Sequence, residues 1–219
     1  MESFASGPSR PTGRRERKEA LRGILLSRDW AALGELPVPP PVLLRALTGI
    51  LQAEDALLRW RAVEAFGIVA ARDRGGEAAR EVVKSLFWGM NDESGNLCRM
   101  APEAIAAILA SREDLRADFA HLLPQFLREE PFEEGTLWAL CHLVENGWKP
   151  PMRLERAARV FLDHPSPRRR GLSIRLSRLL GDPVPAEGAG EAALFEDYDP
   201  RSGRLATVRE PPGPPSKVC

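Results

Sequence analysis

Apolar residues between Pro41 and Leu51 recur at the i, i+3, i+4 spacing that places one face of a helix in a core. The next segment, residues 56–71, is apolar around most of its circumference, which is typical of a helix packed between two layers. A short polar turn separates them and ends in Asp55, a residue type that caps the amino ends of helices. The pattern therefore predicts a pair of helices joined by this turn.

Three further helix pairs are predicted along the chain. Their members are residues 77–90 with 97–109, 116–128 with 133–146, and 151–162 with 167–180. A helix over residues 15–26 and a short one over 30–33 precede the first pair, and residues 1–14 lack periodicity and predict a disordered leader. The repeat domain is thus expected over residues 15–181. The tail, residues 182–219, is expected to be disordered or to form a short β-hairpin over 193–208, where two strand-like segments flank a turn.

A segment of the second helix appears twice. Four pairs of positions match at a fixed offset of 39 residues: Ala62 with Ala101, Glu64 with Glu103, Ala65 with Ala104, and Phe66 with Ile105. A repeat of this length is typical of arrays of helical hairpins, in which each hairpin buries its apolar face by stacking on its neighbours. The sequence therefore predicts an all-α fold, a right-handed α-solenoid of four helix pairs.

Composition narrows the classes of function. Lysine and arginine total 31, as do aspartate and glutamate, so no overall charge favours a nucleic-acid partner. Three cysteines without ligand-like spacing argue against a disulfide framework and favour a reducing compartment, the cytoplasm. No apolar run has the length of a membrane span or of a signal-peptide core. The phosphate loops and nucleophile turns of common enzymes are also missing.

The segment Leu58–Gly67, preceded by Asp55, resembles the second helix of a HEAT-like repeat of the bilin-lyase type. In that family small alanines let helices approach closely, and an arginine, which Arg59 matches here, braces the loop of a neighbouring unit. The second unit departs from the family pattern, with Cys98 at the place of Arg59 and Pro102 at the place of Val63.

The resemblance implies an adaptor or assembly factor, since HEAT-like proteins mostly serve these roles and a subset acts in chromophore attachment. Residues 88–95 also resemble a motif of short uncharacterised bacterial HEAT-like proteins, from which no activity follows. We therefore expect a non-enzymatic, monomeric adaptor without a cofactor, which binds an unidentified protein through the inner face of the array. Two alternatives stay open at this point, a lyase or chaperone for a tetrapyrrole-type cofactor and a nucleic-acid-binding protein.

Three residues of the inner helices are the first candidates for a binding surface. Glu64 and Glu103 occupy equivalent positions of successive repeats, and stacking places them on one face, where we expect a solvated wall. Trp138 occupies the corresponding place in the third pair, and aromatic side chains often dominate the energetics of interfaces. We expect the three side chains to point to the same face.

The polar turn between the second pair of helices is the second candidate. Trp88, Asn91, Asp92 and Glu93 belong to it, and these side chains offer an aromatic surface and several oxygen atoms. The turn either caps the next helix or forms a recognition loop. A calcium site is disfavoured because the twelve-residue spacing of known calcium loops is absent.

The two alternative functions depend on other residues. Cys98, Cys141 and His142 would suit a metal or haem iron if they converged, although buried cysteines are commonly small core residues. Five arginines between Arg168 and Arg178 give the last helix a basic face that suits phosphate or an acidic partner.

Overall fold

The computed structural model describes residues 13–91, 98–150, 154, 159–182 and 193–210. In these residues the chain is mostly helical and ends in a two-stranded antiparallel hairpin. This confirms the prediction of a mainly helical chain, and of the two alternatives expected for residues 193–208 the structure has the hairpin. Residues 1–12 of the expected leader, most of the expected helix over 151–162, and residues 183–192 and 211–219 of the tail lie outside the described residues, whereas Arg14, expected in the leader, begins the first helix.

The helices of the described residues follow the predicted order. They are α1 (Arg14–Ser27), α2 (Trp30–Glu35), α3 (Pro40–Ile50), α4 (Ala56–Arg72), α5 (Glu77–Met90), α6 (Ala101–Ser111), α7 (Glu113–Phe119), a 3₁₀ helix (Ala120–Arg128), α8 (Glu133–Glu145) and α9 (Pro167–Leu179). The predicted and observed bounds of α5 coincide, because its apolar spacing is uninterrupted.

Two predicted helices differ from the observed ones, and proline explains both. The helix expected from residue 97 begins at Ala101, because Pro102 lacks a backbone N–H and is best placed in the first turn, where no such donor is needed. The helix expected over 116–128 is divided into α7 and the 3₁₀ helix, and Pro124 lies inside the latter. A proline cannot donate the hydrogen bond that a continuous α-helix requires of it.

One row of helices runs through the fold. Along it α2 packs on α4, α4 on α6, α6 on α8, and α8 on α9, and we call these five helices the inner row. Helices α3 and α5 pack on each other and against α4 and α6, respectively. The approach of α4 to α6 is close, since a Cβ atom on Gly67 would lie 3.0 Å from the Ala107 carbonyl oxygen. Fully buried Phe66 and Ile105 lie in the same core.

Two arginines link successive helices of the inner row at the same spacing. Arg72, the last residue of α4, donates to the carbonyl oxygens of Leu33 (2.7 Å) and Leu36 (3.1 Å) at the end of α2. Arg112, just after α6, donates to the carbonyl oxygen of Asp73 just after α4. Both Arg72 to Leu33 and Arg112 to Asp73 span 39 residues of sequence. The two contacts are offset from each other by 40 residues, within one residue of the 39-residue sequence repeat, and they satisfy carbonyl groups that a helix end leaves open.

The hairpin consists of β1 (Ala193–Asp199) and β2 (Arg204–Glu210), with Tyr198 opposite Leu205. The Asp199 carboxylate closes the turn by accepting from the backbone N–H groups of Arg201 (2.9 Å) and Ser202 (3.2 Å). An isolated two-stranded hairpin is marginal in water, and this one packs on α9 through both strands.

Candidate functional site

The indole ring of Trp60 on α4 lies at the centre of an aromatic cluster. Tyr198 of the hairpin stacks on it with ring centroids 5.6 Å apart and planes parallel within 1°. Trp138 of α8 contacts it at 5.0 Å with a tilt of 57°, and the Arg168 guanidinium of α9 lies 5.7 Å from the ring centroid. Trp60 therefore joins three helices of the inner row to the hairpin.

Glu64 lies one turn further along α4 and joins the hairpin to the beginning of the chain. Its carboxylate accepts hydrogen bonds from the Tyr198 hydroxyl (2.6 Å), from Arg28 Nη2 (2.7 Å) and from Trp30 Nε1 (3.0 Å). Burial, and then the hydrogen bond to Glu64, raise the pKa of Tyr198, so the phenol keeps its proton and remains a donor. Arg28 also donates to the Pro200 carbonyl oxygen in the hairpin turn.

The other end of the hairpin is fixed to α9. Asp197, which is 2% exposed by residue, forms ion pairs with Arg168 (3.3 Å) and Arg175 (3.1 Å). The Phe195 ring lies so close to the backbone of Gly171 that a Cβ atom there would overlap it. The hairpin thus covers part of the inner row from α9 to α4.

Beside this covered region an open cleft lies at the amino ends of the inner helices, and we call it the amino-end cleft. Its volume is about 460 Å³. Its walls come from the turn before α4, from Met100 at the start of α6, from the first turn of α8, and from Arg168 at the start of α9. Trp60 and Glu103 also line it. The cleft is therefore a place where side chains of four inner helices converge.

Glu103 is the most unusual ionisable group of the cleft. It is only 6% exposed, and its Oε2 atom has no hydrogen-bond partner among the described residues. Burial raises its pKa to about 7. A hydrogen bond from its own backbone N–H and the charge of Arg168 oppose this rise, and the charges of Asp197 and Glu134 reinforce it. A Cβ atom at Gly135 would lie 2.6 Å from Oε2, so the glycine leaves room for this carboxyl group.

The three inner-face residues predicted from sequence all lie around Trp60. Trp138 contacts its ring, Glu103 lines the same cleft, and Glu64 binds the tyrosine stacked on it. The expected solvated wall is wrong for Glu103, because α8 packs over α6 and buries it. Trp138 is likewise only 8% exposed, since it packs between Trp60 and the ring of His142. Their role in partner binding stays a prediction.

The polar turn after α5 is described only at its start. Trp88 is 78% exposed, and Asn91 ends α5 by donating from its side chain to the Phe87 carbonyl oxygen at 2.9 Å. Asp92 and Glu93 lie outside the described residues.

Asp55 and Arg59 act together at the start of α4. The Asp55 carboxylate caps the helix by accepting from the Leu58 backbone N–H at 3.1 Å. Arg59 donates to the carbonyl oxygens of Ala53 (2.7 Å) and Glu54 (2.8 Å). The brace therefore holds the turn before its own helix, whereas the family resemblance implies the loop of a neighbouring unit.

Cys98, Cys141 and His142 do not form a metal-binding group in the described part of the chain, where no three histidine, cysteine or acidic side chains are grouped to hold an ion. Cys98 borders a groove between α3 and α5, and burial raises its pKa to about 11. Cys141 is buried and donates to the Leu172 carbonyl oxygen at 3.5 Å. His142 stacks on Trp138, and burial lowers its pKa to about 4.

Several residues of the site were missed by reasoning from sequence. Trp60 stands inside the repeated segment, and Tyr198, the single tyrosine of the chain, stands in the predicted hairpin. No sequence pattern marked Arg28 and Gly135 as residues of the site, because their roles depend on which helix packs next to them.

Comparison with known proteins adds one uncharacterised relative. A protein of Archaeoglobus fulgidus is 44% identical over 110 residues, which are 48% of this chain and 58% of the relative. The chain thus spans somewhat more than half the length of that curated relative. No family model and no solved structure matches the chain. Among the described residues, no helix combines the length and the apolar character that crossing a membrane requires.

Proposed function

We propose that this protein is a non-enzymatic adaptor or assembly factor, built as a HEAT-like right-handed solenoid, and that it binds a protein partner at the amino-end cleft. The cleft supports this proposal because it combines an open volume of about 460 Å³ with Trp60 and three arginine side chains in its lining. Tryptophan and arginine are the residue types that contribute most at protein interfaces. The Arg72 and Arg112 contacts, which are offset by 40 residues and so lie close to the 39-residue sequence repeat, support the solenoid.

The hairpin changes which part of the inner face is offered to a partner. Glu64 is occupied by Tyr198, Arg28 and Trp30, and Trp138 is enclosed by Trp60 and His142. We therefore place the partner at the cleft, where Arg99 is exposed and Glu103 has an atom without a hydrogen bond among the described residues.

The alternative functions gain less support from the described residues. Arg168 and Arg169 form ion pairs with Glu134 and Glu133, and Arg170 donates to the carbonyl oxygens of the preceding turn. A nucleic-acid phosphate would have to compete with these internal acceptors. The cysteines and His142 lie in separate contacts, which leaves the cofactor alternative without a grouped set of ligands.

A site-specific crosslinking experiment tests the adaptor proposal. Arg99 is replaced by the photoreactive residue p-benzoylphenylalanine in the full chain, and Arg74, an exposed arginine just after the carboxyl end of α4, is replaced in a matched variant. After irradiation in the native host, mass spectrometry identifies the captured proteins, and each is then purified and tested for direct binding. A protein captured from position 99 alone that binds the purified chain is the expected result. Identical captures from both positions, or none from position 99, would contradict the proposal.

A further inference from the structure

The amino-end cleft has an electrostatic character that its lining residues define. Residues near the amino ends of α4, α6, α8 and α9 line it, and the amino end of a helix carries a partial positive charge. The lining also holds three guanidinium groups, those of Arg59, Arg99 and Arg168, against the two carboxyl groups of Glu103 and Glu134. The excess of guanidinium over carboxyl groups in the lining favours a negatively charged ligand.

The three arginines differ in how far their donors are already used. Arg59 donates to two carbonyl oxygens of the preceding turn, and Arg168 pairs with Glu134 and Asp197. Arg99 is exposed and makes no polar contact with the described residues. Among the described residues, Arg99 therefore has no acceptor that a ligand would have to displace.

The carboxyl group of Glu103 is a second indication that the cleft binds a ligand. It is buried, its Oε2 atom has no hydrogen-bond partner among the described residues, and it lines the cleft that Arg99 borders. Leaving this atom unpaired costs free energy. Oε2 itself has almost no accessible surface, so the carboxyl group must rotate to reach a ligand in the cleft, and the hydrogen bond formed there would recover the cost. With its pKa raised to about 7 by burial, the carboxyl group is protonated in a large part of the molecules near neutral pH and can then donate.

We propose that the amino-end cleft binds a carboxylate group of the protein partner, held by the Arg99 guanidinium and by a hydrogen bond from the protonated carboxyl group of Glu103. This inference rests on the proposed protein-binding function and names the chemistry of the partner. A planar monoanion with two oxygens matches one guanidinium and one acid donor. A phosphate dianion would place two charges beside Glu134 and matches the cleft less well.

Nuclear magnetic resonance of the isotopically labelled full chain tests this assignment. Four probes are titrated separately: N-acetylglutamate α-amide, which carries a side-chain carboxylate; N-acetylglycine, which carries a terminal one; N-acetylglutamine amide as the neutral isostere; and inorganic phosphate. We expect saturable shifts of the Glu103 and Gly135 amide signals with one or both carboxylates, and the stronger of the two identifies the source of the group. Arg99→Ala should weaken this binding by at least about tenfold, the effect of losing one charged contact, whereas Arg74→Ala should leave it unchanged.

The pH dependence of the affinity for a carboxylate provides a second test. Arg168, Glu134 and Asp197 are the charged groups that face Glu103, and none of the three histidines lines the cleft. If only the protonated form of Glu103 binds, affinity for the carboxylate falls by about tenfold between pH 6 and pH 8. Glu103→Gln keeps a donor that does not titrate, so its affinity should stay constant over this range.

Three results would overturn the assignment: equal shifts with the neutral isostere, saturable binding of phosphate alone, or no saturable shift with either carboxylate. In each case, a partner captured from position 99 would leave the adaptor proposal standing and remove only the carboxylate chemistry. Conversely, saturable carboxylate binding without any captured protein would support the site and contradict the adaptor proposal.

Discussion

Replacing Glu103 by glutamine should make the stability of the protein depend differently on pH. Glu103 is buried, and its pKa rises from 4.5 in the unfolded chain to about 7 in the fold. A raised pKa means that folding favours the protonated form, so its contribution to the free energy of unfolding is fully present below pH 4.5 and is lost as the pH rises through 7. The shift corresponds to a loss of about 3 kcal/mol. Glutamine has nearly the same shape and does not titrate.

His142 has the opposite effect over almost the same range. Burial lowers its pKa from 6.5 to about 4, so the fold favours the neutral ring, and stability is lost as the pH falls from 6.5 towards 4. Its effect is smaller than the shift alone implies, because the side chain keeps some contact with water. The two groups partly cancel in the natural protein. The prediction therefore concerns the difference between variant and natural protein, in which His142 is common to both.

Urea denaturation followed by tryptophan fluorescence at pH 4.5, 5.5, 6.5 and 7.5 measures this difference. The free energy of unfolding of Glu103→Gln should exceed that of the natural protein by an amount that grows with pH and reaches about 3 kcal/mol. Glu35→Gln, at an exposed position at the end of α2, is the matched control and should give a difference that does not change with pH. A difference for Glu103→Gln that stays within about 0.5 kcal/mol at all four pH values would refute the reasoning. Glu103 would then be ionised and stabilised in the fold.

Three further predictions concern the hairpin. Gly171→Ala places a methyl group into the Phe195 ring and should destabilise the protein by about 1–3 kcal/mol. Gly23→Ala, in open space on α1, is the control and should stabilise the protein by up to about 1 kcal/mol. Equal effects of the two substitutions on the melting temperature would contradict this. Tyr198→Phe removes the 2.6 Å hydrogen bond to Glu64 and should cost about 1–3 kcal/mol, and an unchanged melting temperature would argue against that bond. A chain that ends before the hairpin uncovers the aromatic cluster and should self-associate; equal monomeric masses of both chains by light scattering would refute this capping role.

The helices could be predicted because their signals are local. The apolar spacing of α5 lies within its own residues, as does the Asp55 cap of α4. Proline positions were also visible, but their effect was underestimated at Pro102 and Pro124, where each proline forces a boundary or a change of helix type.

The site could be predicted only in part because its geometry depends on distant contacts. The hydrogen bond between Tyr198 and Glu64 joins residues 134 positions apart, and neither hydrophobic spacing nor turn chemistry encodes such a pairing. The repeat identified Glu103 as a candidate. Its burial and raised pKa arise only after Gly135 of α8 packs against it, which the sequence of α6 alone does not contain.

Helices α4 and α9, the first and last long helices of the inner row, share the same arrangement of a capping residue and an arginine at their amino ends. In α4 the cap is Asp55, and Arg59, four residues later, donates to the two carbonyl oxygens before the cap. In α9 the cap is Ser166, and Arg170, again four residues later, donates to the carbonyl oxygens of the two residues before it. The two helices are therefore structurally equivalent at their starts, although few of their other residues match.

This equivalence explains how the hairpin fits on both helices. Five residues after the cap, α4 has Trp60 and α9 has Gly171, and the hairpin presents a stacking tyrosine to the former and the Phe195 ring to the latter. Nine residues after the cap stand Glu64 and Arg175, which bind the adjacent hairpin residues Tyr198 and Asp197. The hairpin thus contacts equivalent positions of α4 and α9 with complementary groups. On α9 these are a large ring against a glycine and an acid against a base, and on α4 a stacking ring and a hydroxyl donor against an acid. Since each contact depends on the residue opposite it, the hairpin is specific for these two helices, and its Phe195 and Tyr198 side chains belong to the hydrophobic core.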